Sequence, residues 1–123
     1  MRILLDTHIF LWWLDNSTSL DSLRKGEISN PHNEVFLSAA VIWEIAVKNR
    51  EGNLSIPDNW YTISKEEDFT PIPITAEHTY HAGLLPDIHT DPFDRLLIAQ
   101  AQVEGLILMT DDEFIEKYNI QLF

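Results

Sequence analysis

Four acidic positions far apart in the chain carry the strongest chemical signal: Asp6, Glu44, Asp94 and one of the adjacent pair Asp111 and Asp112. Asp6 directly follows the apolar burst ending at Leu5. Glu44 is the one charge within Ala39 to Val47, a run of otherwise apolar residues. Asp94 heads an apolar stripe, because Leu97, Ile98 and Ala101 stand three, four and seven residues after it. Each also has an ordinary structural use. Asp6 can cap a helix beginning at Thr7, and Glu44 can pair with Lys48 one turn on. Asp94 is the N3 residue behind an Asp91-Pro92 start, and Thr110-Asp111-Asp112-Glu113 reads as a capping box. Adjacent helical side chains point about 100° apart, so only one of Asp111 and Asp112 can face a common rim. Carboxylates gathered with few basic partners raise one another's pKa unless a cation lies among them. An all-oxygen donor set suits Mg2+ or Mn2+, and the chemistry that follows is hydrolysis of a phosphate ester by an activated water.

The elements that must position these residues are strand-then-helix units. Arg2 to Leu5 is a buried strand by its apolar character, and Val35 to Leu37 is a second, followed by a Ser38 cap and a helix over Ala39 to Arg50 that stops at Gly52. Pro71 to Ile74 with Thr75 to Leu85, and Leu106 to Met109 with Thr110 to Tyr118, repeat the pattern. Another helix starts at Asp91-Pro92. Ser17 to Asn30 and Pro57 to Phe69 are patterned only weakly, and Asn119 to Phe123 alternates like an edge strand. The expectation is one α/β domain over 1–123, a central parallel sheet with helices on both faces. In such a sheet, ligands bind outside the carboxyl ends of the strands, where all four acidic positions fall.

Composition narrows the alternatives. Eight Lys plus Arg against 20 Asp plus Glu leave a net charge of −12 over 123 residues, which excludes a diffuse electrostatic grip on nucleic acid or an anionic membrane. With no cysteine, a disulfide framework, a thiolate zinc site and a cysteine nucleophile are excluded together, and a reducing, cytoplasmic setting is the expectation. The longest apolar run, Ile9 to Leu14, falls far short of the ~20 residues that cross a bilayer, so no membrane partner is expected. Asp6 interrupts the amino-terminal apolar residues before an export signal develops. His78 and His81 have no third zinc ligand and read as solvent-facing helix residues, while His8 and His89 flank the expected rim. Trp12 and Trp13 are adjacent and cannot both be core: one packs with Phe10 or Leu14, and the other is expected to be an exposed anchor for a partner. A receiver-like magnesium-binding module would need a phosphoacceptor Asp at the end of a middle strand and a Lys after a late strand, and neither is present.

Together, Leu4-Leu5-Asp6-Thr7-His8, Ser38 to Lys48 with its Trp43-Glu44-Ile45 centre, Asp91-Pro92-Phe93-Asp94-Arg95-Leu96-Leu97-Ile98-Ala99-Gln100-Ala101 and Thr110-Asp111-Asp112 resemble the PIN-domain toxins of the VapC type, over nearly the whole chain. The resemblance implies a magnesium- or manganese-binding acidic quartet at Asp6, Glu44, Asp94 and Asp112, the last chosen over Asp111 because it lies two residues after Thr110. It implies an endoribonuclease, a homodimer and a cognate antitoxin that silences it. The class of RNA cut is not inherited. Lys48 and Arg95 are the expected substrate-positioning residues, with Thr7, Thr110 and Asp111 as further support for the site. Thr90 departs from relatives that carry Lys or Arg there, which removes one phosphate contact. At a net charge of −12, bound metal, dimerisation and recognition of RNA shape must supply the affinity that basic residues cannot. The alternatives are a non-catalytic metal-binding or protein-interaction α/β module, and a PIN-like nuclease acting on DNA.

Overall fold

The computed structural model describes residues 1–123. The chain forms β1 (Arg2–Leu5), α1 (Thr7–Leu14), α2 (Ser22–Ser29), β2 (Glu34–Ser38), α3 (Ala39–Arg50), α4 (Trp60–Glu66), β3 (Thr70–Ile72), α5 (Ala76–Leu84), α6 (Pro92–Glu104) and β4 (Ile107–Met109), then a short 3-10 turn at Ile115–Lys117. The four strands are all parallel, in the order β3-β2-β1-β4. Ile3, Leu4 and Leu5 are each fully buried. Successive strand residues face opposite sides, so both faces of the sheet are covered, as parallel sheets require. The chain steps outward from β1 to β2 and β3, then crosses to β4 on the other side of β1. That reversal opens a crevice at the carboxyl ends of β1 and β4.

The helix boundaries follow local chemistry. Ser38 caps α3 through its hydroxyl, Thr75 caps α5, and Asp91 caps α6 by accepting from Phe93 N at 2.9 Å and Asp94 N at 3.4 Å. Pro92 occupies the first turn of α6, and Gly105, at φ 66°, ends it in the left-handed region that favours glycine. β3 is shorter than expected. Pro71 lacks an N–H and is tolerated because β3 is an edge strand, and Pro73 stops further pairing. The weakly patterned stretches resolve into α2, capped by Asp21, and α4.

The structure corrects four local expectations. Thr110 to Tyr118 is not a helix: the Thr110 hydroxyl accepts from Asp112 N at 3.0 Å and Asp112 Oδ1 accepts from Phe114 N at 2.8 Å. These short side-chain-to-backbone bonds offer the chain an alternative to helical pairing, and only the 3-10 turn remains. The tail Asn119 to Phe123 follows β4 through one parallel bridge, Leu108 to Leu122, rather than as a strand. Arg24 secures it, donating to the carbonyls of Phe123 at 3.3 Å and Thr110 at 3.0 Å. His78 is buried, not solvent-facing. Its Nδ1 accepts from Thr75 N at 3.1 Å to complete the α5 capping box, and its Nε2 meets Glu104 at 2.9 Å. The tryptophan expectation also fails in part. Trp12 and Trp13 are both half-buried, Trp13 against Phe69, whereas the exposed tryptophan is Trp43, edge-on to Phe93 at 4.9 Å.

Candidate active site

The crevice at the ends of β1 and β4 is a cavity of about 320 Å³, and Asp6, Glu44, Asp94 and Asp112 all line it. Asp6 caps α1 and faces the cavity at once. Its Oδ1 accepts from Ile9 N at 2.9 Å, while its Oδ2 accepts from the Thr110 hydroxyl across the sheet. Burial pushes its carboxyl above the ordinary range, and the bonds from Thr110 and Ile9 pull against that. Glu44 is also buried. Thr7 donates to its Oε1 and Lys48 to its Oε2, so the i to i+4 pair expected on α3 forms inside the site rather than on the surface. Lys48 holds its proton more firmly than usual because Glu44 accepts from it, against an opposing effect of burial.

Asp94 projects from the first turn of α6, and Asp112 from the loop after β4. Their Oδ2 atoms lie 3.0 Å and 2.9 Å from the same nitrogen, His89 Nε2. Burial raises the Asp94 pKa to about 7, and the neighbouring carboxylates of Asp91 and Glu44 add to it. Asp111 lines the mouth of the cavity, but its carboxylate turns to Arg24 at 3.6 Å and is largely exposed. The backbone turn locked by Thr110 thus separates the two adjacent aspartates, directing Asp112 inward.

One sequence expectation changes here. Arg95 does not line the cavity. Its guanidinium donates to the carbonyls of Pro86, Leu85 and Ala82 at 2.9 Å each and of His89 at 3.3 Å, which makes it a clamp on the loop before α6. Thr7 and Thr110 each donate to one of the buried carboxylates, a role assignable only once the strands are assembled. His8, Trp12 and Asp91 also line the cavity. His89 stands nearer the chemistry than its neighbours in sequence suggested, and its one local signal was proximity to Asp91-Pro92.

Thr110→Val should cost about 1–3 kcal/mol, because the buried Asp6 oxygen and the Asp112 N–H both lose a partner. Urea denaturation of the variant beside wild type checks this, and a loss near zero would show that the hydroxyl is dispensable.

The donor set fits a hard divalent cation. Carboxylates from four chain segments line one cavity, the oxygens of Asp94 and Asp112 and a ring nitrogen of His89 lie within 4.8 Å of one another, and Lys48 is the one Lys or Arg lining the cavity. The fold and rim therefore define an α/β domain of the open parallel-sheet type with an acidic crevice at the strand ends. A family model for the PIN domain matches residues 3–120, and the chain belongs to the PIN-domain family. No curated protein sequence matches the chain. Among solved structures, VapBC2 from Rickettsia felis bound to a DNA fragment from its promoter is similar, with a TM-score of 0.71 at 20% identity, covering 100% of this chain and 98% of that one. DNA-bound VapBC from Salmonella typhimurium gives 0.73 at 16% identity, covering 100% and 97%. A toxin-antitoxin complex from Klebsiella pneumoniae gives 0.68 at 18% identity, covering 98% and 95%. No helix is long and apolar enough to cross a membrane.

Proposed function

We propose that this chain is a VapC-type toxin, a metal-dependent endoribonuclease that works as a homodimer and is silenced by a cognate antitoxin. The observation that carries the reading is the convergence of Asp6, Glu44, Asp94 and Asp112, from four segments, on one small cavity. PIN-family membership supports nuclease chemistry, and likeness to a toxin-antitoxin complex supports the antitoxin partner.

Asp6, Glu44, Asp94 and Asp112 would hold Mg2+ or Mn2+, which when bound supplies an activated water and offsets charge on the scissile phosphate. Thr7 and Thr110 fix the carboxylates of Glu44 and Asp6 in place. Lys48 donates to Glu44 and presents positive charge at the cavity wall, where it is the one Lys or Arg that an RNA phosphate would meet. Arg95 acts at a distance by fixing the loop beside the site.

Calorimetric titration of Mn2+ into the purified protein, with parallel incubation on matched RNA and DNA oligonucleotides, tests the proposal. Wild type is expected to bind Mn2+, cut RNA and leave DNA intact, and EDTA should stop cleavage. Cleavage of DNA alone would move the assignment to a DNA nuclease. Metal binding with no cleavage of total bacterial RNA would favour a non-catalytic module, and no metal binding would return the four carboxylates to capping and pairing roles.

A further inference from the structure

His89 is held on every side. Its N–H donates to the Tyr118 hydroxyl at 2.8 Å, its carbonyl accepts from Arg95 at 3.3 Å, and its ring lies edge-on to Phe114 at a centroid distance of 5.8 Å. The ring nitrogen Nδ1 accepts the Asp91 N–H at 3.1 Å. A ring nitrogen that accepts carries no hydrogen, so the single hydrogen of the neutral imidazole sits on Nε2. Nε2 points between Asp94 Oδ2 at 3.0 Å and Asp112 Oδ2 at 2.9 Å.

We infer that His89 is a positioning residue of the metal site: its Nε2–H holds the carboxylates of Asp94 and Asp112 at the separation a divalent cation requires, and it is not itself a ligand. The inference rests on the reading of these carboxylates as metal ligands. A histidine that ligates a metal ordinarily donates its other ring N–H to an acceptor such as a carboxylate or carbonyl. Here the arrangement is reversed, because Nδ1 faces a donor. Ligation through Nε2 would move the ring hydrogen to Nδ1, directly against the Asp91 N–H, and would strip the cap residue of α6 of that bond. Without any donor in this place, the two carboxylates repel each other across the site, and the cation must draw them together as it binds. The preceding loop, clamped by Arg95, keeps the ring in place for that task.

Three measurements on the full chain test the inference. Long-range 1H–15N correlation spectra of labelled protein should show hydrogen on Nε2 and none on Nδ1, both before and after Mg2+ is added. Pulsed EPR of the Mn2+-loaded protein should show no nitrogen coupling from a directly bound imidazole. Titrations followed by EPR should give Mn2+ binding about tenfold weaker in His89→Ala, as loss of a partner to metal ligands does elsewhere. His89→Gln, whose amide can donate to a carboxylate, should recover part of that loss. A hydrogen shift to Nδ1 on adding Mg2+, or a bound-imidazole coupling, would overturn the inference by making His89 a ligand. Binding by His89→Ala as tight as wild type, or tighter, would overturn it by removing the positioning role. The spectra on wild type decide the matter even if His89→Ala fails to fold. Failure of wild type to bind Mn2+ at all is a separate result, which overturns the metal-site reading and this inference with it.

Discussion

Asp94→Asn should abolish metal-dependent RNA cleavage and, in the same protein, raise the stability of the metal-free fold above neutral pH. The two effects share one cause. Burial and the nearby carboxylates of Asp91 and Glu44 raise the Asp94 pKa from 3.8 to about 7. Between those values the folded chain keeps a proton that the unfolded chain has released, so stability falls as pH rises across that window. From about pH 8 upward the carboxylate is ionised in both states and the penalty is nearly complete, with an upper bound of about 4 kcal/mol. Asparagine cannot ionise, yet its side-chain oxygen still accepts from His89 Nε2. Denaturant titrations at pH 4 and pH 8 should therefore show Asp94→Asn gaining on wild type only at the higher pH. Saturating Mn2+ should narrow the gap by stabilising wild type alone, since a ligand bound only to the folded state adds to its stability. Equal stability at pH 8 would mean that the Asp94 charge carries no penalty, and undiminished cleavage would remove Asp94 from the site.

The second large effect is expected at a residue that touches no substrate. Arg95→Lys keeps the charge but not the planar fork that reaches the carbonyls of Ala82, Leu85, Pro86 and His89 together. The Arg95 side chain is only 15% exposed, so water replaces those bonds poorly. The expected loss is about 2–4 kcal/mol by urea denaturation, with faster hydrogen exchange at the His89 amide, whose bond to Tyr118 depends on that loop. A loss below about 0.5 kcal/mol, the size of an ordinary surface substitution, would return Arg95 to the pool of solvent-facing bases free to meet a substrate.

The fold was legible where the decisive information was local. Apolar bursts ending at Leu5 and Leu37, caps at Ser38 and Asp91, and the stop at Gly52 are read from neighbours within one turn, and the structure places strands and helices there. The stretch after β4 misled because Thr110 to Glu113 satisfies a helix-start pattern equally well as a turn. The Thr110 hydroxyl is instead committed to Asp6, 104 residues away, and to Asp112 N. His78 is buried for the same reason: the partners that make a polar core position tolerable, the buried Gln100 and the more exposed Glu104, lie on another helix.

For the site, residue types and their places at strand ends and helix starts sufficed to nominate Asp6, Glu44 and Asp94, because a carboxylate in an apolar setting needs a partner whatever the fold. The sequence by itself thus determined most of the strand-then-helix units and their order, and nominated acidic residues at one rim. The family resemblance favoured Asp112, but only the tertiary structure showed that Asp111 meets Arg24, that Arg95 clamps a loop, and that His89 joins Asp94 to Asp112. Those outcomes depend on directions of side chains brought together from distant segments. Spacing along a chain fixes direction only within a helix or a strand, and these partners are joined by neither.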